Sequence, residues 1–358
     1  MVTKIPFQKF LHPQATTTTT STMSNVAVEE IHIATVNIKN GNFNGPSNPK
    51  EVWAEKPWKE RKTRLVDALL SLGPLDILGA QEVFNWQLKD LAELFGPSYA
   101  HVGVGRDDGK EGGEFSPIFY DASKFDLVKW GTMWLSPTPE VPGSKGWDAD
   151  LPRIATLLTL KYKDPSKKGE LVHAVNTHYD HKGTTARAQS SLLVRSAIWQ
   201  WVKDVEQAEK PGKVGPLVFF GDFNSPPEED GYKNMTSLHP LPSGQPSFTF
   251  IDTYTHLLSL SSSPQSSASP LKTLQTRPYG PAFTYTDFAP PNAPQAKRID
   301  FVLLGAEVDD KNNRGKARGG WEVVRYACVD NYVEGDVEGW NARWSDHRAV
   351  RATIARPA

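Results

Sequence analysis

Six short runs of acidic, amide and histidine side chains stand where apolar, β-branched stretches begin or end. In chain order they are Asn37; Gln81-Glu82; Asn176-Thr177-His178, continued by Tyr179-Asp180-His181; Gly221-Asp222-Phe223-Asn224; Lys297-Arg298-Ile299-Asp300; and Ser345-Asp346-His347. A hard divalent cation such as Mg²⁺ takes carboxylate, carbonyl and water oxygens and needs only a few protein ligands. Glu82, Asp222 and Asp346 can supply the charge, while Asn37 and Asn224 can supply neutral oxygen or N–H groups. His347, beside Asp346, can act on a phosphate or on water if another carboxylate fixes its tautomer. The lack of a His-rich or Cys-rich spacing argues against zinc as the built-in metal. The chemistry such a set suits is phosphoryl transfer.

Each run also has a plainer meaning. Asp222 can belong to an ordinary strand-exit turn, where Asp, Asn, Ser and Pro are common. Glu82 can cap the helix that follows, Asp346-His347 can be a surface pair, and His178, Asp180 and His181 can be loop residues. These readings fail jointly, because all of them would have to coincide at successive strand ends, where an α/β scaffold displays reactive groups.

The elements that must position these residues follow from hydrophobic periodicity. Mixed β-branched and alternating residues predict a first strand over 31–38, then a Gly/Asn/Pro-rich loop over 40–49. A helix carrying Leu65, Leu69 and Leu72 on one face ends at Gly73-Pro74. A buried strand over 75–80 precedes a second helix, with Leu88, Leu91, Ala92 and Phe95, stopped by Gly96-Pro97. Further strands are expected over 99–104, 116–120, 154–161, 171–177, 217–221, 299–304 and 349–354. A long helix over 185–205 has the stripe Val194, Ile198, Trp201 and Val205. The low-complexity stretches 259–270 and 309–320 read as solvated loops rather than domain linkers. The class is therefore α/β, with two sheets covered by helices in one domain.

Composition is that of an ordinary globular chain, 38% apolar and 23% charged over 358 residues. The net charge of −1 gives no support for a grip on long nucleic acid, which needs a basic excess or stripe. The one cysteine, Cys328, rules out an intrachain disulfide and lies in a strand-like run, as a buried, inert thiol would. No stretch approaches the ~20 apolar residues that span a bilayer. Residues 1–28 hold a run of five threonines and no acidic residue, and read as a disordered leader before a single catalytic domain over 29–358. Met1 and Met23 are alternative starts; the compartment expected is cytoplasmic, with a mitochondrial one as the alternative.

Taken in order, the six runs resemble the signature of the endonuclease/exonuclease/phosphatase (DNase I-like) superfamily, over nearly all of the chain from Ile31 to Ile354. That resemblance implies a four-layer α/β sandwich of two facing mixed sheets flanked by helices, with a metal site at one rim. It implies Glu82 as principal ligand of Mg²⁺ or Mn²⁺, with Asn37 beside it and Asp346 at the metal or its water shell. Asp222 would orient or deprotonate water, and Asn224 would hold the phosphate. His347, partnered by Asp300, would stabilise developing charge, and His178 would contact the phosphate from the other side. Glu114 stands where a glutamate would orient His178, and Arg153 is a candidate phosphate ligand. The segments Gly105-Arg106-Asp107-Asp108-Gly109, Trp134-Leu135-Ser136 and Gly146-Trp147-Asp148 are similar to a bacterial and fungal subfamily. Trp134 and Trp147 could stack on a substrate or pack in the core. The expected activity is hydrolysis of a small soluble phosphoester by a monomer without a membrane partner. The alternatives are a nuclease or deadenylase acting on DNA or RNA, and an inactive phosphate-binding module.

Overall fold

The computed structural model describes residues 27–42, 51–262, 269–308 and 314–358. The expected leader up to residue 26 and most of the 40–49 loop lie outside them. In chain order the elements are β1 (Val28–Asn37), α1 (Trp58–Leu70), β2 (Ile77–Gln81), α2 (Asn85–Phe95), β3 (Tyr99–Val102) and β4 (Ile118–Asp121). There follow β5 (Phe125–Trp134), β6 (Ile154–Tyr162), β7 (Leu171–His178), α3 (Thr184–Glu209), β8 (Leu217–Asp222), α4 (Asp230–Thr236), β9 (Thr249–Asp252) and α5 (Thr253–Ser262). The last are β10 (Asp300–Val308), β11 (Arg314–Ala317), β12 (Glu322–Val329), β13 (Tyr332–Val333), β14 (Ala342–Arg343) and β15 (Ala349–Pro357). One sheet has the order β12-β15-β1-β2-β4-β3; the other runs β11-β10-β8-β7-β6-β5, with β9 also on β10. Both sheets are mixed, since β1–β2 and β7–β8 are parallel pairs among antiparallel neighbours.

The pleat sorts side chains into layers, because successive residues of a strand point to opposite faces. Ile31 and Ile33 of β1, Ile77 of β2, Val172 and Ala174 of β7, Val218 and Phe220 of β8, and Val302 and Leu304 of β10 share the core between the sheets. The intervening residues face helices. Ala34, Val36, Leu78 and Ala80 pack on Leu65 and Leu69 of α1 and Leu88 and Leu91 of α2. Leu217, Phe219, Phe301 and Leu303 pack on Val194, Ile198 and Val202 of α3 and on α4. The layers are thus helix, sheet, sheet, helix, as the resemblance implied. Counting on in twos along the inner face leads from Ile33 to Asn37, from Ile77 to Gln81, from Ala174 to Asn176 and His178, and from Phe220 to Asp222. The same face of β10 begins with Asp300. The gap between sheets is narrow at this end: a methyl group on Gly79 would meet the Phe220 ring at 2.3 Å.

Several expectations are corrected. Leu72 lies beyond the end of α1 and is 52% exposed, because the helix stops at Leu70. In α3 the buried stripe continues through Val202, while Trp201 turns partly outward and donates Nε1–H to Thr159 Oγ1 at 2.9 Å. The stretch expected as loop over 309–320 contains β11, and α5 reaches Ser262, within the loop expected over 259–270. Cys328 is buried in β12, and burial pushes its thiol up to about 12. Among the described residues no helix is long and apolar enough to cross a membrane.

Candidate active site

Strand register brings three of the expected residues into one row. In the parallel β7–β8 pair His178 lies opposite Asp222, and in the antiparallel β8–β10 pair Asp222 lies opposite Asp300. In the facing sheet Asn37 pairs with Gln81, so Glu82 follows at the same level. The sheets are tied together just beneath the site, where Gln81 Nε2 donates to Asn176 Oδ1 at 2.7 Å. The Asn176 amide in turn donates to the carbonyls of Ala80 and Pro117, both at 2.8 Å.

Beyond the strand ends the backbone leaves the pleat. Lys39, Glu82 and Asn224 have φ of 57°, 61° and 47°, a left-handed region that side chains other than glycine enter at a cost. A regular strand would send Glu82 to the face opposite Gln81; the turn at its backbone brings its carboxylate to Asn37 instead. Gly221 has φ 144°, and a methyl group there would meet the Thr177 carbonyl oxygen at 2.0 Å, which explains the glycine before Asp222.

Asn37 joins the two halves: its amide donates to Glu82 Oε1 at 2.9 Å and to Asp222 Oδ2 at 3.0 Å. Glu82 Oε2 also accepts from the backbone and side chain of Asn40, at 3.1 and 3.0 Å. The Lys39 ammonium stands 4.0 Å from Glu82 Oε2 and 3.9 Å from Asp346 Oδ2, so the space between these carboxylates already attracts a cation. Glu82, Asp346 and Asn37 offer oxygen donors in the pattern a hard divalent ion prefers. Asp222, Asp300 and His347 form a second group, with ligand atoms within 4.8 Å of one another, that could hold a metal ion.

His347 Nδ1 lies 2.8 Å from Asp300 Oδ2, and its Nε2 is 3.7 Å from Asp222 Oδ2. Burial opposes charge on this imidazole, but Asp300 and then Asp222 outweigh it and raise its pKa to about 10. Asp222 is lifted to about 7, chiefly by burial and then by Asp300, against the opposing pull of His347 and the Asn37 amide. At Glu82 burial also favours the neutral acid, yet Lys39, Asn37 and Asn40 hold the carboxyl below its ordinary range. Asp346 is raised by burial and by Glu82.

On the opposite wall, Arg153 Nη1 is 3.0 Å from His178 Nδ1, and its Nη2 is 3.1 Å from His181 Nδ1. Burial, then Arg153 and Arg106, push His178 well below its usual value, so the ring is neutral. Glu114, expected to orient His178, instead accepts from Arg106 Nη1 at 2.6 Å and stands 4.0 Å from His178 Nδ1. Arg153 is the nearer partner because Asp180 anchors it: this carboxylate accepts from the amides of Asp150, Leu151, Lys182 and Gly183 and lies 3.5 Å from Arg153 Nε. Trp134 is 5% exposed and donates Nε1–H to the Arg106 carbonyl, which makes it a packing residue. Trp147 does not line the site cavity.

Sequence reasoning missed Arg61. It is wholly buried and donates to the carbonyls of Lys56, Ile38, Trp344, Lys39 and Asn40, tying the loop after β1 to the segment before His347. A helical Arg is an ordinary surface residue by pattern, so only the fold reveals this role. Lys39 and Asn40, two and three residues after Asn37, carried a positional hint; Arg187 and Glu229, which also line the cavity, carried none.

Two facing sheets with carboxylates, amides and imidazoles gathered at one rim define a DNase I-like phosphoester hydrolase. The chain belongs to the Endonuclease/Exonuclease/phosphatase family, which it matches over residues 34–347. A mannosyl-6-phosphatase from Bacteroides thetaiotaomicron is 30% identical, with a TM-score of 0.65 over 90% of this chain and 99% of that one. A family protein from Bacteroides vulgatus is 28% identical, with a TM-score of 0.64 over 91% and 98% of the two chains. The human Nocturnin catalytic domain, 18% identical with a TM-score of 0.54 over 91% and 94%, shares the fold. Among curated proteins, none matches the sequence significantly.

Proposed function

We propose that the protein is a Mg²⁺- or Mn²⁺-dependent phosphatase acting on small soluble phosphomonoesters, with a phosphorylated sugar as the best-fitting class. The observation that carries this reading is the placement of Asp222, a buried carboxyl raised above its ordinary range that accepts from the Asn37 amide at 3.0 Å and lies 3.7 Å from His347 Nε2. A group that titrates near working pH is suited to accept a proton from water. The cavity it faces has a volume of about 430 Å³, room for one small ester, and Tyr285 is the only Phe, Tyr or Trp among the described residues that line it. Nucleic-acid strands are commonly held on stacked aromatic side chains, which this lining does not supply. The relative that is 30% identical is a mannosyl-6-phosphatase, in keeping with a sugar phosphate.

The charge of the lining calls for a cation. Lys39, Arg153, Arg187, Lys297 and the His347 imidazolium face an equal number of carboxylates: Glu82, Glu114, Asp222, Glu229 and Asp346. A phosphate dianion gains little from so balanced a surface. Glu82 and Asp346, with Asn37, would hold the divalent ion, which when bound supplies the neutralisation of phosphate oxygens as charge develops. Asp222 takes a proton from the attacking water; the new O–P bond forms as the ester P–O bond breaks, and the leaving alkoxide is protonated from solvent. Arg153 can only donate, so Nδ1 of His178 accepts and the ring proton sits on Nε2. That N–H and Asn224 Nδ2, 3.0 Å apart, are two donors that an anionic oxygen would satisfy together. His347, protonated and oriented by Asp300, stabilises charge on the far side.

The test offers purified protein, with Mg²⁺ or Mn²⁺, a hexose phosphate, an aryl monoester, an aryl diester and single-stranded RNA, beside an Asp222→Ala control. The monoesters should turn over fastest, and the variant should be inactive. Equal rates for wild type and variant on every ester would refute hydrolysis at this site; preference for RNA that grows with chain length would replace the phosphatase reading with the nuclease one.

A further inference from the structure

We infer that Glu229, held in place by Arg187, reads the hydroxyl groups of the leaving group; this rests on the phosphomonoesterase reading above. Both residues line the cavity that contains Asp222 and Asn224. They come from separate elements, Arg187 from the first turn of α3 and Glu229 from the residue before α4. Neither contacts the group formed by Asp222, Asp300, His347 and Asn37 among the described residues.

The geometry of the pair is lopsided. Arg187 Nε and Nη2 both donate to a single oxygen, Glu229 Oε2, at 3.0 and 2.5 Å, and Nη1 is spent on the Asp180 carbonyl at 3.1 Å. The usual Arg–carboxylate fork uses both oxygens in parallel. Here Glu229 Oε1 accepts no hydrogen bond among the described residues, while the two bonds to Oε2 fix the direction of the carboxylate. Arg187 is 5% exposed as a side chain, whereas Glu229 is 37% exposed, so the anchor is buried and the carboxylate meets solvent. A fixed carboxylate with a free oxygen accepts hydrogen bonds from hydroxyl groups and repels a second phosphate. It therefore selects a neutral, hydroxyl-rich leaving group over a diphosphorylated or purely apolar one. Pro226, also in the cavity lining, lies between Asn224 and Glu229 in sequence and stiffens that stretch of chain.

The experiment compares a hexose 6-phosphate with n-hexyl phosphate, a monoester of the same chain length without the hydroxyls, in the Mg²⁺-loaded wild type and in Glu229→Ala and Glu229→Asp. Wild type should prefer the hexose phosphate. Glu229→Ala should lower the ratio of the two kcat/KM values about tenfold or more, the size expected when a hydrogen bond to a charged acceptor is lost. The change should fall on KM for the sugar ester, and Glu229→Asp should recover part of it. An unchanged ratio, including a parallel fall of both rates as a mere tether between α3 and the β8 loop would give, overturns the inference. So does a wild type that hydrolyses both monoesters equally well, which leaves the phosphatase reading standing. If wild type hydrolyses neither monoester, that reading fails and takes this one with it.

Discussion

Two clusters of buried charge lie at opposite ends of the same strands. β1 starts beside Glu29 and ends at Asn37; β7 starts after Glu170 and ends at His178; β15 starts two residues after His347 and carries Arg356 near its end. At ~3.3 Å per residue, Glu29 and Asn37 are roughly 26 Å apart. At the far end Arg356 donates to Glu29 Oε2 at 2.9 and 2.7 Å and also bonds Glu170, Lys167 lies 2.7 Å from Glu29 Oε1, and the Arg356 guanidinium packs over Trp321. Burial resists ionisation of Glu29, yet Lys167 and Arg356 hold its carboxyl below the usual range. At the near end Asp222 is lifted to about 7 and Asp346 is also raised. Burial pushes the carboxyl upward in both clusters. What differs between Glu29 and Asp222 is pairing: Lys167 and Arg356 reverse the effect of burial at Glu29, whereas Asp300 adds to it at Asp222.

The sharpest test of that contrast is Asp222→Asn. It should lower kcat/KM by about 10³-fold, within the 10²–10⁴ range of a lost general base. Thermal melts of the metal-free variant at neutral pH and above should match or exceed wild type, because a carboxylate that burial opposes has been removed. A large loss of stability would mean that the near end is as structural as the far one.

The converse is Arg356→Met, which leaves Glu170 buried without its cation and Glu29 dependent on Lys167. Urea unfolding should register a loss of about 3–5 kcal/mol, as for other broken buried pairs, with kcat per folded molecule unchanged. A fall in kcat at intact stability would break the division between the two ends.

Arg61→Lys probes an exception, a fully satisfied cation at the catalytic end. Lysine cannot reach five carbonyls in a plane, so stability should drop by about 2 kcal/mol. Mg²⁺ affinity by calorimetry should weaken as the loop carrying Asn40 loosens; unaltered affinity would confine Arg61 to packing.

The gentlest probe is pH. His347 is raised from 6.5 to about 10 in the folded chain, so its contribution is complete below the lower value and is lost as pH climbs towards the higher. Melting temperatures of the metal-free protein should decline across that interval, less so in His347→Gln. A flat profile would show that Asp300 does not hold the proton there.

Much of this site was legible because chemistry and core share a strand face. Ile33, Phe220 and Ala174 announce β1, β8 and β7 by alternation, and Asn37, Asp222 and His178 stand where the alternation turns polar. β5 escaped notice because it is an edge strand whose middle, Lys129-Trp130-Gly131, is open to solvent and lacks an apolar face. The far-end cluster was hidden for another reason: Glu29 and Arg356 are 327 positions apart, and nothing local marks either as buried. The exchange of partners at His178 was equally out of reach, since whether Glu114 or Arg153 meets Nδ1 depends on how Asp180 folds the 150–153 segment.

The division between pleated strands and the wall formed by Arg187 and Glu229 has a consequence for how such a molecule can change. The residues proposed for hydrolysis stand at the ends of strands whose inner faces fill the core, so they cannot drift without disturbing the packing. Arg187 and Glu229 sit at the ends of α3 and α4, outside the strands that form the sandwich. Descendants of this chain could therefore exchange one leaving group for another while inheriting the reaction itself unaltered.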